Sequence, residues 1–282
     1  MRCAVLGSPI AHSLSPAMHR AAYDHLGLDW SYDAVEVESS DLERFLDGLD
    51  GAWRGLSLTM PLKRTVVPLV DSLDDWSGLS GVANTVLLAD GRRRGCNTDI
   101  PGAMAALEER VQDPLRSAVV IGGGATAASV LLALAELGCT TARVLVREPS
   151  RAEETVVAVA AHPRAPELSV GTIAEAASLD ANLAADIVVS TVPADVQTPG
   201  LLAACAEVPT VFEVVYDPWP TPLAAAVQDS GRRLVSGLDL LAHQAVLQVE
   251  LMTGRAVPVD LVRDAGRAEL ARRAVQNSLG ER

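Results

Sequence analysis

The sequence predicts an α/β protein, with an N-terminal α/β domain joined to a Rossmann-type, doubly wound parallel sheet. Three observations point there. The stretch Ala118–Leu134, AVVIGGGATAASVLLAL, passes from an apolar β-branched run through three glycines into an alanine-rich helical pattern. Beyond it, short apolar strands alternate with helical stretches as far as Ser236. Ahead of it, strands and helices also alternate, but a hairpin interrupts them.

Taken in order, Arg2–Leu6 reads as a short apolar strand that ends at Gly7. Ser8-Pro-Ile-Ala-His-Ser-Leu-Ser-Pro16 is too rich in serine and proline for a regular element, so it is a loop. A helix follows. Ser15 suits its N-cap and Pro16 its first turn, while Met18, Ala21, Ala22 and Leu26 make one apolar face. Trp30–Val37 alternates as a strand, and Asp41–Leu49 reads as a helix. Gly55–Thr59 is a third strand, stopped by Met60-Pro61, and Pro61 begins the helix that carries Lys63. Val82–Leu88 and Arg92–Cys96 form a hairpin around Asp90-Gly91, a favoured turn pair. Asn97-Thr98-Asp99 closes its second strand, and Ile100–Val111 is a helix that leads to the glycine stretch.

From there, strands are expected at Ala118–Ile121, Ala142–Val146, Leu168–Thr172, Asp186–Ser190, Thr210–Val215 and Arg232–Ser236, with helices between most of them. Six such units with right-handed crossovers build a doubly wound sheet. Read as G-x-G-x-x-A, the turn supplies Gly122 for tightness, Gly124 for close approach of a pyrophosphate, and Ala127 for helix–strand packing. The helix N-terminus offers free N–H groups to the phosphates. Two helices, Leu238–Met252 and Leu261–Ala274, follow Gly237 without a strand to accompany them. Their expected place is back against the first domain. The domain plan is residues 1–100 completed by 238–282, around a dinucleotide-binding domain at 101–237, with a ligand in the cleft between them.

The chain has 282 residues, of which 49% are hydrophobic but only 3% aromatic. Its cores must therefore be built from Ala, Val and Leu. A net charge of −13 argues against nucleic acid or an anionic membrane as partner. Any polyphosphate site must then be made locally, by backbone N–H groups and a few arginines. Cys3, Cys96, Cys139 and Cys205 are scattered, which suits reduced thiols in a cytoplasmic protein and neither a disulfide frame nor a zinc site. There is no signal-like segment and no apolar run near the ~20 residues that span a bilayer. No exposed apolar face can be read, so a homodimer is left open.

Polar groups gather at the ends of first-domain elements: Ser13 and Ser15 in the first loop, Thr59 and Lys63 at the third strand, Asn84 on the hairpin, Asn97 and Asp99 after it. Strand ends on one sheet edge converge, so these groups are placed to line one site. Hydroxyls, amides, an ammonium and a carboxylate suit a small polyhydroxylated acid. Each also has a plainer role: Ser15 or Asp99 as helix caps, Asn84 as a turn pin, Lys63 as a solvated surface lysine.

GSPIAHSLSP, SLTMPLK, GVANT and NTDIPG, in this order, resemble the signature blocks of the shikimate dehydrogenase family. GGGATA, VVYDPWPTPL and GLDLLAHQA fit as well, so the resemblance covers essentially the whole chain. It implies NADPH-dependent, reversible reduction of 3-dehydroshikimate to shikimate, on the route to chorismate and the aromatic amino acids. It further implies that Ser13, Ser15, Thr59, Lys63, Asn84, Asp99, Tyr216 and Gln244 hold the substrate. Lys63 and Asp99 would be the catalytic pair. Gly122, Gly123, Gly124, Ala125, Thr126, Arg147, Arg151 and Gly237 would hold the NADP, with Gly237 beside the nicotinamide. The residue types agree with the chemistry. Hydride attack on a ketone develops negative charge on oxygen, which a lysine ammonium stabilises and protonates.

Two blocks depart from the family pattern. The phosphate loop often reads G-A-G-G-A, where this chain has Gly122-Gly-Gly-Ala-Thr126. The segment after the second Rossmann strand often reads N-R-T-x-x-R. Here Val146-Arg147-Glu148-Pro149-Ser150-Arg151 keeps both arginines and loses the asparagine and threonine. An NAD enzyme places Asp or Glu at that strand end. Val146 stands there instead, and two guanidinium groups suit a 2′-phosphate. Glu148 is the complication, because it is placed either to take the ribose or to neutralise Arg147. The alternatives weighed are an NAD-dependent quinate/shikimate dehydrogenase and a non-catalytic dinucleotide sensor; the Lys63–Asp99 pair speaks against the sensor.

Overall fold

The computed structural model describes residues 1–178 and 182–280. The chain begins with β1 (Arg2–Gly7), α1 (Ser15–His25), β2 (Ser31–Glu36), α2 (Leu42–Asp47), β3 (Trp53–Leu58) and α3 (Leu62–Thr65). Then come β4 (Ser72–Leu73), α4 (Asp75–Ser80), the hairpin β5 (Thr85–Ala89) and β6 (Arg92–Cys96), and α5 (Asp99–Arg110). The regular alternation follows as β7 (Ser117–Ile121), α6 (Ala125–Glu136), β8 (Thr141–Val146), α7 (Glu153–Ala160), β9 (Glu167–Thr172) and α8 (Ile173–Ala176). It continues through β10 (Ile187–Ser190), α9 (Pro199–Ala204), β11 (Thr210–Glu213), α10 (Pro222–Asp229) and β12 (Arg233–Ser236). Helices α11 (Gly237–Thr253) and α12 (Val259–Gly280) end it. Residues 1–98 with 241–282 form one compact unit, and 99–240 the other. No helix among the described residues is long and apolar enough to cross a membrane.

The second unit holds six parallel strands in the order β12-β11-β10-β7-β8-β9. Numbered within the unit, that is the Rossmann order, with β7 and β10 flanking the point where the winding reverses. Its central strands β7 and β10 are short apolar runs because both faces are covered. Val119, Val120, Ile121, Val188 and Val189 are all buried, and residues 127–135 of α6 are buried throughout. Alanine-rich helices are how a chain with so few aromatics builds this core. A helix lies between each consecutive pair of strands, including the short α8 and α9 that the sequence pattern left unassigned.

The first unit is a mixed sheet in the order β2-β1-β3-β5-β6-β4. The pairs β1–β2, β1–β3 and β4–β6 are parallel, whereas β3–β5 and β5–β6 are antiparallel. Asp90 (φ 52°) and Gly91 (φ 72°) make the hairpin turn, both left-handed, as a two-residue primed turn requires. Register brings four segments to one edge. Leu6 pairs with Leu58, Ser57 with Thr85, and Thr85 with Cys96. The loops after β1 and β3, the residues before β5 and those after β6 therefore leave the sheet together.

The C-terminal helices pack on this unit. Helix α12 lies against α1, and Gly55 of β3 leaves room for the Met252 side chain, 2.8 Å from where a Cβ would stand. A buried polar chain ties α11 to the sheet. The Tyr32 hydroxyl donates to Ser57 Oγ (2.6 Å) and Ser57 Oγ to Gln248 Oε1 (2.8 Å). Gln248 Nε2 donates to Thr85 Oγ1 (2.9 Å) and to the Asn84 carbonyl (3.2 Å). Every link is buried, and every buried polar group here finds a partner, as stability requires.

Helix α1 differs from the sequence expectation. Its N-cap is Leu14, already in helical geometry (φ −90°, ψ −11°), and no side chain caps it. Ser15 is the first helical residue, so its hydroxyl is not the cap. It is buried and faces the Tyr32 phenol. Ser13 takes the local role instead, its Oγ accepting the Ser15 N–H at 3.3 Å.

One turn on, His19 is completely buried and stacks on Tyr32 with ring centroids 4.0 Å apart. Its Nδ1 bonds the Ser15 carbonyl (3.0 Å), while Nε2 has no partner. Burial of a ring with no acceptor for a second proton lowers its pKa to about 4. Between pH 4 and about 6.5 the unfolded chain holds a proton that the folded chain lacks, so stability falls as pH drops through that window. Denaturant unfolding should show the stability of wild type relative to His19→Phe declining by roughly 3 kcal/mol from pH 7 to pH 4. A pH-independent difference would mean that His19 is protonated in place.

Candidate functional site

Asn84 stands just before β5, where the sheet edge gathers its loops. It is buried, and its amide is saturated. Nδ2 donates to Thr98 Oγ1 (2.9 Å) and Gln244 Oε1 (3.3 Å). Oδ1 accepts the Thr98 N–H (2.9 Å) and the Thr85 hydroxyl (2.9 Å). Its backbone N–H reaches the Cys96 carbonyl, and its carbonyl accepts the Leu58 N–H at 2.7 Å. One residue thus locks β3, β5, the end of β6 and α11 together, far more than a turn pin.

The other candidates of this unit sit on the same edge. Gly7, at the end of β1, has no room for a Cβ, which would run into the Thr59 side chain and come within 2.9 Å of the Met60 carbonyl. Thr59 is half-buried, its N–H on the Leu6 carbonyl (2.9 Å). Lys63 is half-buried on the one-turn helix α3, with its carbonyl fixed by the Ala83 N–H (2.8 Å). Ser13 and Ser15 lie at the junction of the first loop and α1. Gln244 lies on α11 with Nε2 on the Leu241 carbonyl (2.9 Å). Asn97 is spent on structure: its amide nitrogen donates to Ser80 Oγ and the Val82 carbonyl, both at 3.2 Å.

The second unit begins at Asp99, which is the first residue of α5 and is buried. Helix α5 starts on Asp99 itself, not after it. Within this unit, the glycine turn can be divided by what each position meets. A Cβ on Gly122 (φ 113°) would collide with the Thr191 hydroxyl, at the strand pair where the winding reverses. One on Gly123 would stand 2.7 Å from the Arg151 carbonyl and 2.8 Å from Val146 Cγ1. Both glycines are therefore demanded by the fold. A Cβ on Gly124 would meet nothing within 4 Å. Gly124 is the N-cap of the twelve-residue α6, and no side chain caps that end. Its openness leaves the first N–H groups of α6 to an anion, as a pyrophosphate site needs. Ala125 and Thr126 form the first turn, and Ala127 is fully buried against the sheet.

Arg147, Glu148 and Arg151 follow β8, all exposed. No ion pair joins Glu148 to either arginine among the described residues, so the guanidinium groups are not neutralised by it. Gly237, at the start of α11, could carry no side chain, because a Cβ would strike the Val214 carbonyl. Tyr216 is half-buried in the loop after β11.

Several side chains that hold these loops were not singled out from sequence. Thr155, on α7, donates to the Gly123 carbonyl (2.8 Å) and so fastens the glycine turn. Glu213 is wholly buried at the end of β11, held by Gln197 Nε2 (2.6 Å), the Thr221 hydroxyl (2.9 Å) and the Val215 N–H (3.1 Å). Burial raises its pKa, against those hydrogen bonds. It ties both ends of the Tyr216 loop. A carboxylate inside TVFEVV was the available signal. For Gln248 the signal was its position one turn beyond Gln244, on the same helix face. Thr155 had none.

Known proteins resemble the chain in sequence and in fold. The family model "Shikimate dehydrogenase substrate binding domain" matches residues 5–86, and "Shikimate 5'-dehydrogenase C-terminal domain" matches 237–265. The shikimate dehydrogenase (NADP(+)) of Moorella thermoacetica is 35% identical over 91% of this chain and 89% of its own length. The crystal structure of Mycobacterium tuberculosis shikimate dehydrogenase is similar at 38% identity and a TM-score of 0.83, covering 95% of this chain and 99% of that one. A Thermus thermophilus shikimate 5-dehydrogenase in complex with NADP(H) and shikimate matches at 31% identity and 0.78, over 95% and 99%. With likeness at this level over more than nine-tenths of its length, the chain belongs to the shikimate dehydrogenase family.

Proposed function

We propose that this chain is an oxidoreductase that reversibly reduces 3-dehydroshikimate to shikimate with NADPH, in the pathway to chorismate. The observation that carries the reading is the saturated Asn84 amide, placed with Gln244 on the sheet edge that also carries Ser13, Ser15, Thr59 and Lys63. Such a rigid set of amides and hydroxyls can sort the hydroxyl pattern of a small ring acid, because a wrong pattern leaves buried groups unpaired. The net charge of −13 speaks against nucleic acid or an anionic membrane as partner, and four buried thiols suit the cytoplasm.

Bound NADPH supplies the hydride. The chain supplies the rest. Ser13 and Ser15 take the substrate carboxylate, Thr59, Tyr216 and Gln244 take its ring hydroxyls, and Asn84 joins them by yielding its 3.3 Å bond to Gln244 Oε1 to a ring hydroxyl. The Lys63 ammonium hydrogen-bonds the ketone oxygen, offsets the negative charge that develops there and donates the proton that completes the alcohol. Asp99 orients that ammonium and binds an adjacent hydroxyl. In the reverse direction Lys63 takes the proton back. The N–H groups at Gly124, Ala125 and Thr126 take the pyrophosphate, and Gly122 and Gly123 let the turn form. Arg147 and Arg151 take the 2′-phosphate, and Gly237 lies beside the nicotinamide.

Lys63→Ala should lower kcat by ~10²–10⁴-fold, the usual worth of general acid catalysis, with the shikimate KM changed far less. A variant that keeps more than about a tenth of wild-type turnover would remove Lys63 as proton donor. The wild type should prefer NADP over NAD by at least about tenfold in kcat/KM, and Arg147→Ala should erase most of that preference while leaving NAD use nearly unchanged. Equal or better use of NAD by the wild type would assign the ribose to Glu148.

A further inference from the structure

The loop that carries Ser13 is gripped from the far end of the chain. Arg273, on α12, donates from Nη1 to the His12 carbonyl and from Nη2 to the Ser13 carbonyl, both at 2.9 Å. Its third edge, Nε, donates to Glu269 Oε1 at 2.7 Å. Glu269 is itself held by Arg272, with two bonds of 2.7 Å. The hydrogen bonds from Arg272, then those from Arg273, pull its carboxyl down to about 2, so it stays charged across the neutral range. The Arg273 side chain is 23% exposed and that of Glu269 18%, so both are largely shielded. A planar guanidinium presents two parallel donors to two consecutive carbonyls only when its plane is fixed, and the carboxylate on Nε fixes it.

The rest of the loop shows what the grip accomplishes. The Ser13 N–H is already on the Ile10 carbonyl (3.0 Å), and its Oγ accepts the Ser15 N–H. With its carbonyl on Arg273, the backbone of Ser13 is fixed on both sides, and the direction of its hydroxyl follows. From this we infer that Arg273, oriented by Glu269, is a positioning residue that sets substrate affinity by holding the Ser13–Ser15 loop in its binding geometry. The inference rests on the reading of Ser13 and Ser15 as the contacts to the substrate carboxylate. Arg273 touches no reacting atom in it. The terminal helix is then more than a packing element against α1: it carries the clamp that keeps an exposed, proline-bounded loop ready to bind.

Arg273→Met keeps the apolar stem and removes the donors. It should raise the shikimate KM at least about fivefold, leave kcat within about twofold, and leave the NADP KM unchanged. Amide hydrogen exchange without any ligand should quicken at Ser13 and Ser15, which a packing role alone would not single out. Arg273→Lys should fall between, because one ammonium cannot bridge both carbonyls. Glu269→Gln should shift KM and exchange in the same direction. An unchanged KM or unchanged loop exchange in folded Arg273→Met would overturn the inference. Should that variant fail to fold, the lysine and glutamine variants decide by the same two readings. A wild type that does not turn over shikimate would refute the proposed function instead, and loop exchange would then decide on the clamp alone.

Discussion

The first unit depends on the buried Asn84 side chain. An amide that has left water costs stability for each group left unpaired, so Thr98, Thr85 and Gln244 must all be in place before Asn84 can be buried at no loss. That requirement joins segments 160 residues apart in sequence. The second polar chain, Tyr32–Ser57–Gln248, enters the same point through the Asn84 carbonyl and Thr85. Helix α11 therefore supplies both glutamines of a network that reaches from β2 to the hairpin. Two of the groups assigned to the substrate, Asn84 and Gln244, also hold the unit together, which explains how a mixed sheet with few aromatics keeps these polar side chains in fixed directions.

The second unit is governed by a different constraint, steric and not polar. Gly122 and Gly123 are forced by Thr191, Val146 and the Arg151 carbonyl, whereas Gly124 faces open space. The fold asks for two glycines, and the third is spare unless a ligand approaches. Thr155 and Glu213 do for this unit what Gln248 does for the first, fixing a loop from behind.

Periodicity made most of this legible. All six Rossmann strands stand within one or two residues of where alternation and β-branched runs place them, and the apolar signature is plainest in the buried β7 and β10. The hairpin followed from Asp90-Gly91, since few other pairs accept two left-handed residues. Serine before proline is the usual cap signal, yet at Ser15 the cap role fails. Leu14 enters helical geometry first, and the buried Tyr32 phenol gives the Ser15 hydroxyl another neighbour. Short helices such as α8 and α9 carry too few turns for a pattern to emerge. Arg273 could not be found from sequence, because its partners are backbone carbonyls 260 and 261 residues away, and carbonyls have no residue type.

The central claim is that the Asn84–Gln244 pair recognises the substrate within the first unit. Calorimetric titration of shikimate, without dinucleotide, into wild type and Gln244→Ala tests it most directly. Clear binding to the wild type is expected, with binding at least about tenfold weaker in the variant, about 1.4 kcal/mol, and NADP affinity equal in the two. Equal shikimate affinity in wild type and variant, or none in either while NADP still binds, would contradict it.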